Sequence, residues 1–260
     1  MTRRNGSAPA SGSASGAGCH GPLCDLTGPL VVALLASDER AVEAVFASAA
    51  SRGADLALLA RDLVSPALDE VGLMWHRGEV SVAEEHLATA VVYRAFTRCA
   101  SHVPPPPLGA PRLLLSCLAG EFHELGARLV GEVARAAGWQ AETLGANTPR
   151  EAVLGYIAQR RPDAVGLSCA LTGHLAECGK TVAEIRRLAP GVKVLVGGSV
   201  FRRDGATCGL TGADACFSDA VALRDWLVAH RPAPDGSGAP CAPGSEALRK
   251  KVGGSRRTRA

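Results

Sequence analysis

The stretch Arg112–Leu118, RLLLSCL, is a short and almost continuous apolar run, and AGEFHELG, Ala119–Gly126, follows it directly. A run of this length without polar alternation is typical of a β-strand that is buried on both faces of a sheet. A helical pattern then begins at Leu125 and ends at Gly138. This part of the chain is therefore predicted to be a β-α unit.

The same alternation repeats along the rest of the second half of the chain. Further strand candidates are residues 139–144, 163–169, 192–198 and 213–218, and helix candidates are residues 149–160, 175–189 and 219–229. Five β-α repeats over residues 112–230 predict a parallel, doubly wound sheet. In such a sheet the ligand site lies at the carboxyl ends of the strands, near the switch in strand order.

The first half of the chain, residues 26–101, has a helical period throughout. Four amphipathic helices with short connections predict a four-helix bundle. Ser81 and Glu84 form a capping-box pattern at the start of the last helix. The sequence HVPPPPLGAP, residues 102–111, can form no helix and is predicted to be a stiff linker between the two halves.

Composition limits the classes of function. The chain has no uncharged apolar run long enough to span a membrane, and residues 1–25 are a Ser/Gly/Ala-rich stretch, predicted to be a disordered leader and not a signal peptide. Residues 231–260 are predicted to be a disordered basic tail. Residues 232–260 carry a net charge of +4, whereas the whole chain carries +3. The part of the chain before this tail therefore has no excess of positive charge and is not a basic nucleic-acid binder. Without an export signal, a cytoplasmic location and reduced cysteines are predicted.

Small and polar residues follow the predicted strands at the edge where a ligand is expected. Glu121, His123 and Gly126 come after the first strand, Ser168 ends the third, and Gly197-Gly198 end the fourth. Glu121 could accept a hydrogen bond from one imidazole nitrogen of His123 and so fix the tautomer of the ring. Taken singly, these residues are more typical of ordinary tight turns and of a surface histidine than of a ligand site.

Taken together, this pattern resembles that of the cobalamin-binding domains across residues 112–230. Glu121 and Ala170 depart from it, because Asp and Leu are usual at these positions. The resemblance implies a flavodoxin-like, Rossmann-type fold of five parallel strands, with the nucleotide tail of cobalamin in the crevice. It also implies that His123 is the lower axial ligand of cobalt.

The stretch Met74–His86, MWHRGEVSVAEEH, joins the last two predicted helices. The apolar stripe of the last helix passes through Val82 and Phe96 and includes Glu85, which is therefore predicted to lie on the buried face. An unpaired carboxylate would be costly there. Glu85 is then either paired inside the bundle or exposed to a polar ligand, and the sequence leaves both alternatives open.

Trp75, nine residues, and then Glu85-His86 form a motif that resembles that of the adenosylcobalamin-dependent photoreceptors of the CarH and LitR family. The resemblance implies that the bundle caps the upper face of the corrin. It implies that Trp75 packs against the 5′-deoxyadenosyl group and that Glu85 binds it by hydrogen bonds. His76 matches the residue that takes the upper cobalt position after light expels that group.

The sequence differs from most members of this family in its N-terminal part. Most members carry a winged-helix DNA-binding domain, whereas only about 25 low-complexity residues precede the bundle in this sequence. The sequence therefore predicts a stand-alone sensor of light or cobalamin that acts through a partner, such as a separate transcription factor, without binding DNA directly. Homo-oligomerisation is left open.

The alternative is a corrinoid protein that carries methyl groups in a methyltransferase system. Such a carrier needs the upper face of the corrin to be open, and the presence of Trp75, Glu85 and His86 above that face argues against it. A mutase subunit is disfavoured because no substrate barrel is present. Catalysis by this chain is not expected, since no nucleophile–base pair is apparent; His174, after the third strand, is assigned to the surface although it could approach the cofactor.

Overall fold

The computed structural model describes residues 21–202 and 206–231. The predicted leader up to residue 20 and the predicted tail from residue 232 lie outside the described residues. The first helix begins at Cys24, two residues before the predicted start of the helical half.

The first half of the chain is helical, as predicted. Its elements are α1 (Cys24–Leu35), α2 (Glu39–Ser51), α3 (Leu56–Leu58), a π-helical segment (Leu59–Val64), α4 (Ser65–His76) and α5 (Val82–Ala100). The α3, π-helical and α4 segments follow one another without a break and so form one helical rod. The capping box forms at α5, where Ser81 Oγ accepts from Glu84 N at 3.3 Å and Glu84 Oε2 accepts from Ser81 N at 2.6 Å. No helix in the described ranges is both long and apolar enough to cross a membrane.

The second half forms a five-stranded sheet in which every neighbouring pair is parallel. The strands are β1 (Arg112–Cys117), β2 (Gln140–Thr143), β3 (Ala164–Ser168), β4 (Lys193–Gly197) and β5 (Ala215–Phe217). Their order in the sheet is β2-β1-β3-β4-β5. This is the flavodoxin-like order, and its switch point lies between β1 and β3. The predicted fold class is confirmed.

Helices cover both faces of the sheet. They are α6 (Leu125–Ala136), α7 (Arg150–Arg160), α8 (Leu175–Leu188), α9 (Ala206–Gly209) and α10 (Ala220–Ala229). The bundle packs on α6 and α10, because Leu129, Val133 and Ala220 belong to the same hydrophobic core as the bundle helices. An ion pair between Arg224 of α10 and Asp55 at the start of α3 joins the two halves as well. The bundle therefore lies against one face of the sheet domain.

The cysteines behave as predicted in the core but not near β5. Cys117 and Cys169 are buried, and Cys99 is partly buried. Cys208 and Cys216 form a disulfide, so the prediction that the cysteines are reduced is wrong for this pair. The two cysteines are eight positions apart along the chain, and only the fold, which brings α9 beside β5, makes them neighbours.

Candidate functional site

A cavity of about 490 Å³ lies at the carboxyl edge of the sheet, between the sheet domain and the bundle. Leu115, Gly166 and Leu195 of the central strands line its floor. The π-helical segment and α4 contribute the opposite wall through Ala60, Val64 and other residues. The cavity is thus at the switch point of the sheet, where doubly wound folds bind ligands.

Five of the predicted site residues line this cavity: His123, Gly126, Ser168, Gly197 and Gly198. They lie at three strand ends: His123 and Gly126 follow β1, Ser168 ends β3, and Gly197 and Gly198 are at the end of β4. Parallel pairing brings these three strand ends to one edge, because all the strands end on the same side of the sheet. The sequence expectation that these residues lie together is therefore matched by their positions.

Glu121 is the buried anchor of this edge, with none of its surface exposed. Its Oε1 accepts from the backbone N–H of His123 at 3.0 Å and from His123 Nδ1 at 2.5 Å. Its Oε2 accepts from the backbone N–H of Ala170 at 2.8 Å and lies 3.1 Å from His174 Nδ1. Burial acts to raise the pKa of Glu121, but these hydrogen bonds outweigh it and lower the pKa to about 2.

His123 combines a fixed ring with an accessible second nitrogen. Its side chain is 66% exposed, although Nδ1 is held by Glu121. If Nδ1 carries the proton that Glu121 accepts, Nε2 keeps a lone pair for a metal. Nε2 has no hydrogen-bond partner among the described residues. This arrangement is the one that the Glu121-His123 spacing predicted.

Two residues that the sequence did not assign to the site take part in it. His174, in the turn Thr172–His174 after β3, is only 21% exposed and binds Glu121, so its assignment to the surface is wrong. Asn147, in the loop after β2, accepts from Gly120 N at 2.8 Å and donates its backbone N–H to Glu121 O at 2.7 Å. We refer to Glu121, His123, Asn147 and His174 as the loop group.

The glycines at this edge are present for different physical reasons. A Cβ at Gly126 would meet no atom within 4 Å, so this position leaves open space beside His123. Gly198 has φ +122°, and a Cβ there would lie 2.2 Å from the carbonyl oxygen of Cys169. Gly198 is therefore required by the close approach of two backbones, whereas Gly126 is not required by any contact within the described chain.

The residues of the α4–α5 connection lie apart from the cavity. Trp75 and His76 end α4, and Glu85 and His86 lie in the first turns of α5. None of the four lines the cavity. We refer to these four residues as the turn group. Trp75 is 50% exposed, and its ring centroid lies 6.4 Å from that of His76.

The predicted burial of Glu85 is wrong. The buried face of α5 starts one turn later than predicted, because the beginning of this helix extends past the core and leaves Val82 53% exposed. The buried positions of α5 are Ala88, Val91, Val92, Ala95, Phe96 and Ala100. Glu85 is partly exposed; it accepts from Thr89 Oγ1 at 3.2 Å and lies 2.5 Å from His86 Nδ1.

The site fits a corrinoid better than a bare metal ion. Within residues 21–202 and 206–231 no group of three or more His, Cys, Asp or Glu side chains could hold a metal ion. A corrin ring supplies four nitrogen ligands itself, so the protein would have to add only one further ligand, which His123 could provide. The apolar cavity and the open space at Gly126 match a large organic ligand.

Comparisons with known proteins agree with this chemistry. Residues 111–224 match the B12 binding domain family, and residues 28–100 match a second family, also described as a B12 binding domain. The chain is 35% identical over 133 residues to the HTH-type transcriptional repressor CarA of Myxococcus xanthus, covering 51% of this chain and 44% of that protein. It is 34% identical over 149 residues to the HTH-type transcriptional repressor CarH of the same organism, covering 56% and 49%.

The fold has a counterpart among solved structures. The monomethylamine corrinoid protein of Methanosarcina barkeri superposes with a TM-score of 0.63 at 17% identity, covering 79% of this chain and 98% of that one. At this identity the likeness concerns the fold. The chain spans about half the length of the two curated relatives. Residues 28–100 and 111–224 thus each match a B12 binding domain family, and the chain is similar to the CarA and CarH regulators over about half of its length.

Proposed function

We propose that this chain is a cobalamin-binding sensor, an adenosylcobalamin-dependent photoreceptor module that acts in the cytoplasm through a partner protein. The observation that carries the proposal is the coexistence of the loop group, with His123 held by buried Glu121, and the turn group in a B12-binding chain. The names of the relatives CarA and CarH support a role in transcription.

The loop group would hold the lower side of the cofactor. His123 would coordinate cobalt through Nε2, and Glu121 would keep the imidazole in the tautomer and orientation that coordination needs. His174 would hold Glu121 from the other oxygen. When bound, adenosylcobalamin would supply a cobalt–carbon bond that green light can break.

The turn group would recognise the upper side of the cofactor. Trp75 would pack against the adenosyl group, and Glu85 would accept hydrogen bonds from it. His76, next to Trp75, is the candidate upper ligand after light. The exposure of Trp75 supports this assignment, because a half-exposed indole at the end of a helix has apolar surface available for a ligand.

A preference test separates this function from that of a methyl carrier. Affinities for adenosylcobalamin and methylcobalamin would be measured in the dark for the wild-type chain and for Trp75→Ala. The proposal expects the wild type to prefer the adenosyl form and the variant to lose that preference while still binding methylcobalamin. Equal affinity of the wild type for both forms, unchanged in Trp75→Ala, would favour the corrinoid carrier. Val82→Ala, another exposed apolar position near the same turn, is the matched control.

A further inference from the structure

Two guanidinium groups line the cavity and differ in how they are held. Arg61, in the π-helical segment, donates to Asp62 from Nε at 2.6 Å and from Nη2 at 2.9 Å. The hydrogen bond with Asp62 raises the pKa of Arg61, and the charges of Asp219 and Asp225 raise it further. Three carboxylates therefore compensate the charge of Arg61, which leaves it little freedom to bind another anion.

Arg202 is held more loosely and comes from the opposite side. It ends the turn after β4 and donates to Asp69 of α4, from Nη1 to Oδ2 at 2.9 Å and from Nη2 to Oδ1 at 3.2 Å. Both residues line the cavity, and their side chains are 41% and 56% exposed. An ion pair with this exposure contributes little stability, so its partners can be exchanged at small cost.

The rest of the cavity is predominantly apolar. Leucine side chains form its floor, and Phe217 and Leu223 line it near β5 and α10. A flat, weakly polar ring would fit such a floor, whereas an anionic group would have to stay near the mouth, where a cation and water are available. Arg202 and Ser199 lie on this rim, in the same turn after β4.

We propose that Arg202 binds the phosphodiester of the cobalamin nucleotide tail and releases Asp69 when the tail enters the cavity. The tail carries an apolar base and one negative charge, which match the floor and the rim of the cavity. A guanidinium group can bind a phosphodiester through two parallel hydrogen bonds, the geometry that it already adopts with Asp69. This inference rests on the proposed binding of cobalamin.

The exchange has a consequence for the packing of the two halves. The Arg202–Asp69 pair joins the bundle to the loop after β4, so entry of the tail would remove one contact between bundle and sheet domain. Asp69 and the phosphodiester compete for the same guanidinium group. Removing the carboxylate should therefore help cobalamin to bind, although it deletes an ion pair between the halves.

The test compares aquocobalamin with cobinamide, a corrinoid that lacks the phosphodiester-linked nucleotide. Affinities would be measured by equilibrium dialysis with the corrin absorbance as readout. Arg202→Ala should lower the affinity for aquocobalamin by about tenfold or more and the affinity for cobinamide by less than about twofold. Asp69→Asn should raise the affinity for aquocobalamin by about two- to fivefold and leave the affinity for cobinamide unchanged. Arg202→Lys should lie between Ala and wild type, because it keeps the charge without the fork.

Arg187→Ala, which removes an exposed guanidinium on α8 away from the cavity, is the matched control, and circular dichroism checks that every variant is folded. The proposal is wrong if Arg202→Ala changes both corrinoids equally or neither. It is also wrong if Asp69→Asn lowers the affinity for aquocobalamin as Arg202→Ala does. In that case the ion pair would support binding by joining the two halves, and Asp69 would not compete with the phosphodiester. A wild-type chain that binds neither corrinoid would contradict the proposed function itself.

Discussion

In the loop group, Glu121 is fully buried and accepts four N–H hydrogen bonds, whereas in the turn group the side chain of His86 is 75% exposed and Trp75 is half exposed. The loop group is tied to three strand ends and is organised by the fold itself. The turn group is held by the ends of two helices and by short contacts among its own members.

This difference indicates two kinds of ligand recognition. A cluster built around a buried and fully bonded carboxylate is already in the geometry that coordination requires, so this carboxylate contributes to stability as well as to binding. An exposed cluster contributes little to stability, and its apolar surface is covered only when a ligand or another surface packs on it. Substitutions in the loop group should therefore affect both properties, and those in the turn group binding alone.

The largest effect is expected at Gly198. Gly198→Ala places a Cβ against the backbone of Cys169 at a φ of +122°, so the variant should lose more than about 3 kcal/mol of unfolding free energy or fail to fold. Urea denaturation measures this. Gly126→Ala is the control: its Cβ meets open space, and a stability change within about 0.5 kcal/mol is expected. If Gly198→Ala unfolded with the same free energy as the wild type, the strand ends would not be packed as described.

Glu121→Gln should have the next largest effect. An amide offers one acceptor oxygen where the carboxylate offers two, so at least one of the N–H donors loses its partner, at a cost of about 1–3 kcal/mol of stability. Cobalamin affinity should fall by about 10- to 100-fold, because the imidazole of His123 loses its orienting carboxylate. Chemical denaturation and dialysis measure the two effects. Loss of affinity without loss of stability would contradict the anchoring role of Glu121.

The same variant gives a prediction for pH. The pKa of Glu121 is about 2 in the folded chain and lies below the ordinary value of 4.5, so its carboxylate stabilises the fold fully above about pH 4.5. That contribution is lost as the pH falls from 4.5 towards 2. The difference in unfolding free energy between wild type and Glu121→Gln should therefore shrink over this range, and a difference that stays constant would count against the charge of Glu121 as the cause.

A smaller effect on stability is expected in the turn group. Trp75→Ala should change the unfolding free energy by less than about 1 kcal/mol, because half of the indole surface is exposed already. Thermal denaturation without cofactor measures this. With adenosylcobalamin present, the melting temperature of the wild type should rise more than that of the variant. A strongly destabilised variant would show that Trp75 belongs to the core of the bundle and not to a ligand surface.

The smallest effect concerns thiols that report on the loop region. Burial raises the pKa of Cys117 and Cys169 to about 11, and that of Cys178 to about 12. Little thiolate exists at neutral pH, so iodoacetamide should modify these three at least about tenfold more slowly than an unstructured peptide thiol. Mass spectrometry after timed labelling checks this. Fast labelling of Cys117, whose Sγ lies 3.8 Å from the carbonyl oxygen of His123, would mean that the loop group opens.

The sheet and the loop group could be predicted to different degrees from the sequence. Alternating apolar runs and helical patterns are local, so the elements and the carboxyl-edge position of His123 follow from them. The strand order is not local. The contact between His174 and Glu121 could not be predicted without the strand order. It forms because β1 and β3 are neighbours in the sheet and the loops that follow them meet.

Other features depend on packing that periodicity cannot give. The π-helical turn at Leu59–Val64 has no pattern of its own, and it places residues of the bundle on the cavity wall. Glu85 was misplaced because an amphipathic pattern does not reveal where a helix leaves the core. The disulfide between Cys208 and Cys216 likewise depends on the fold, because α9 and β5 must come together.

The most direct measurement of the proposed function is the visible spectrum of the chain loaded with adenosylcobalamin in the dark, recorded before and after green light. The same spectra would be recorded for His76→Ala, for His123→Ala and for the control His102→Ala, an exposed imidazole bound to the carbonyl of Arg98. The account predicts a shift to a bis-imidazole cobalt(III) spectrum in the wild type and in His102→Ala, and its loss in the other two variants. A spectrum that light does not change, or a shift that survives His123→Ala, would contradict the account.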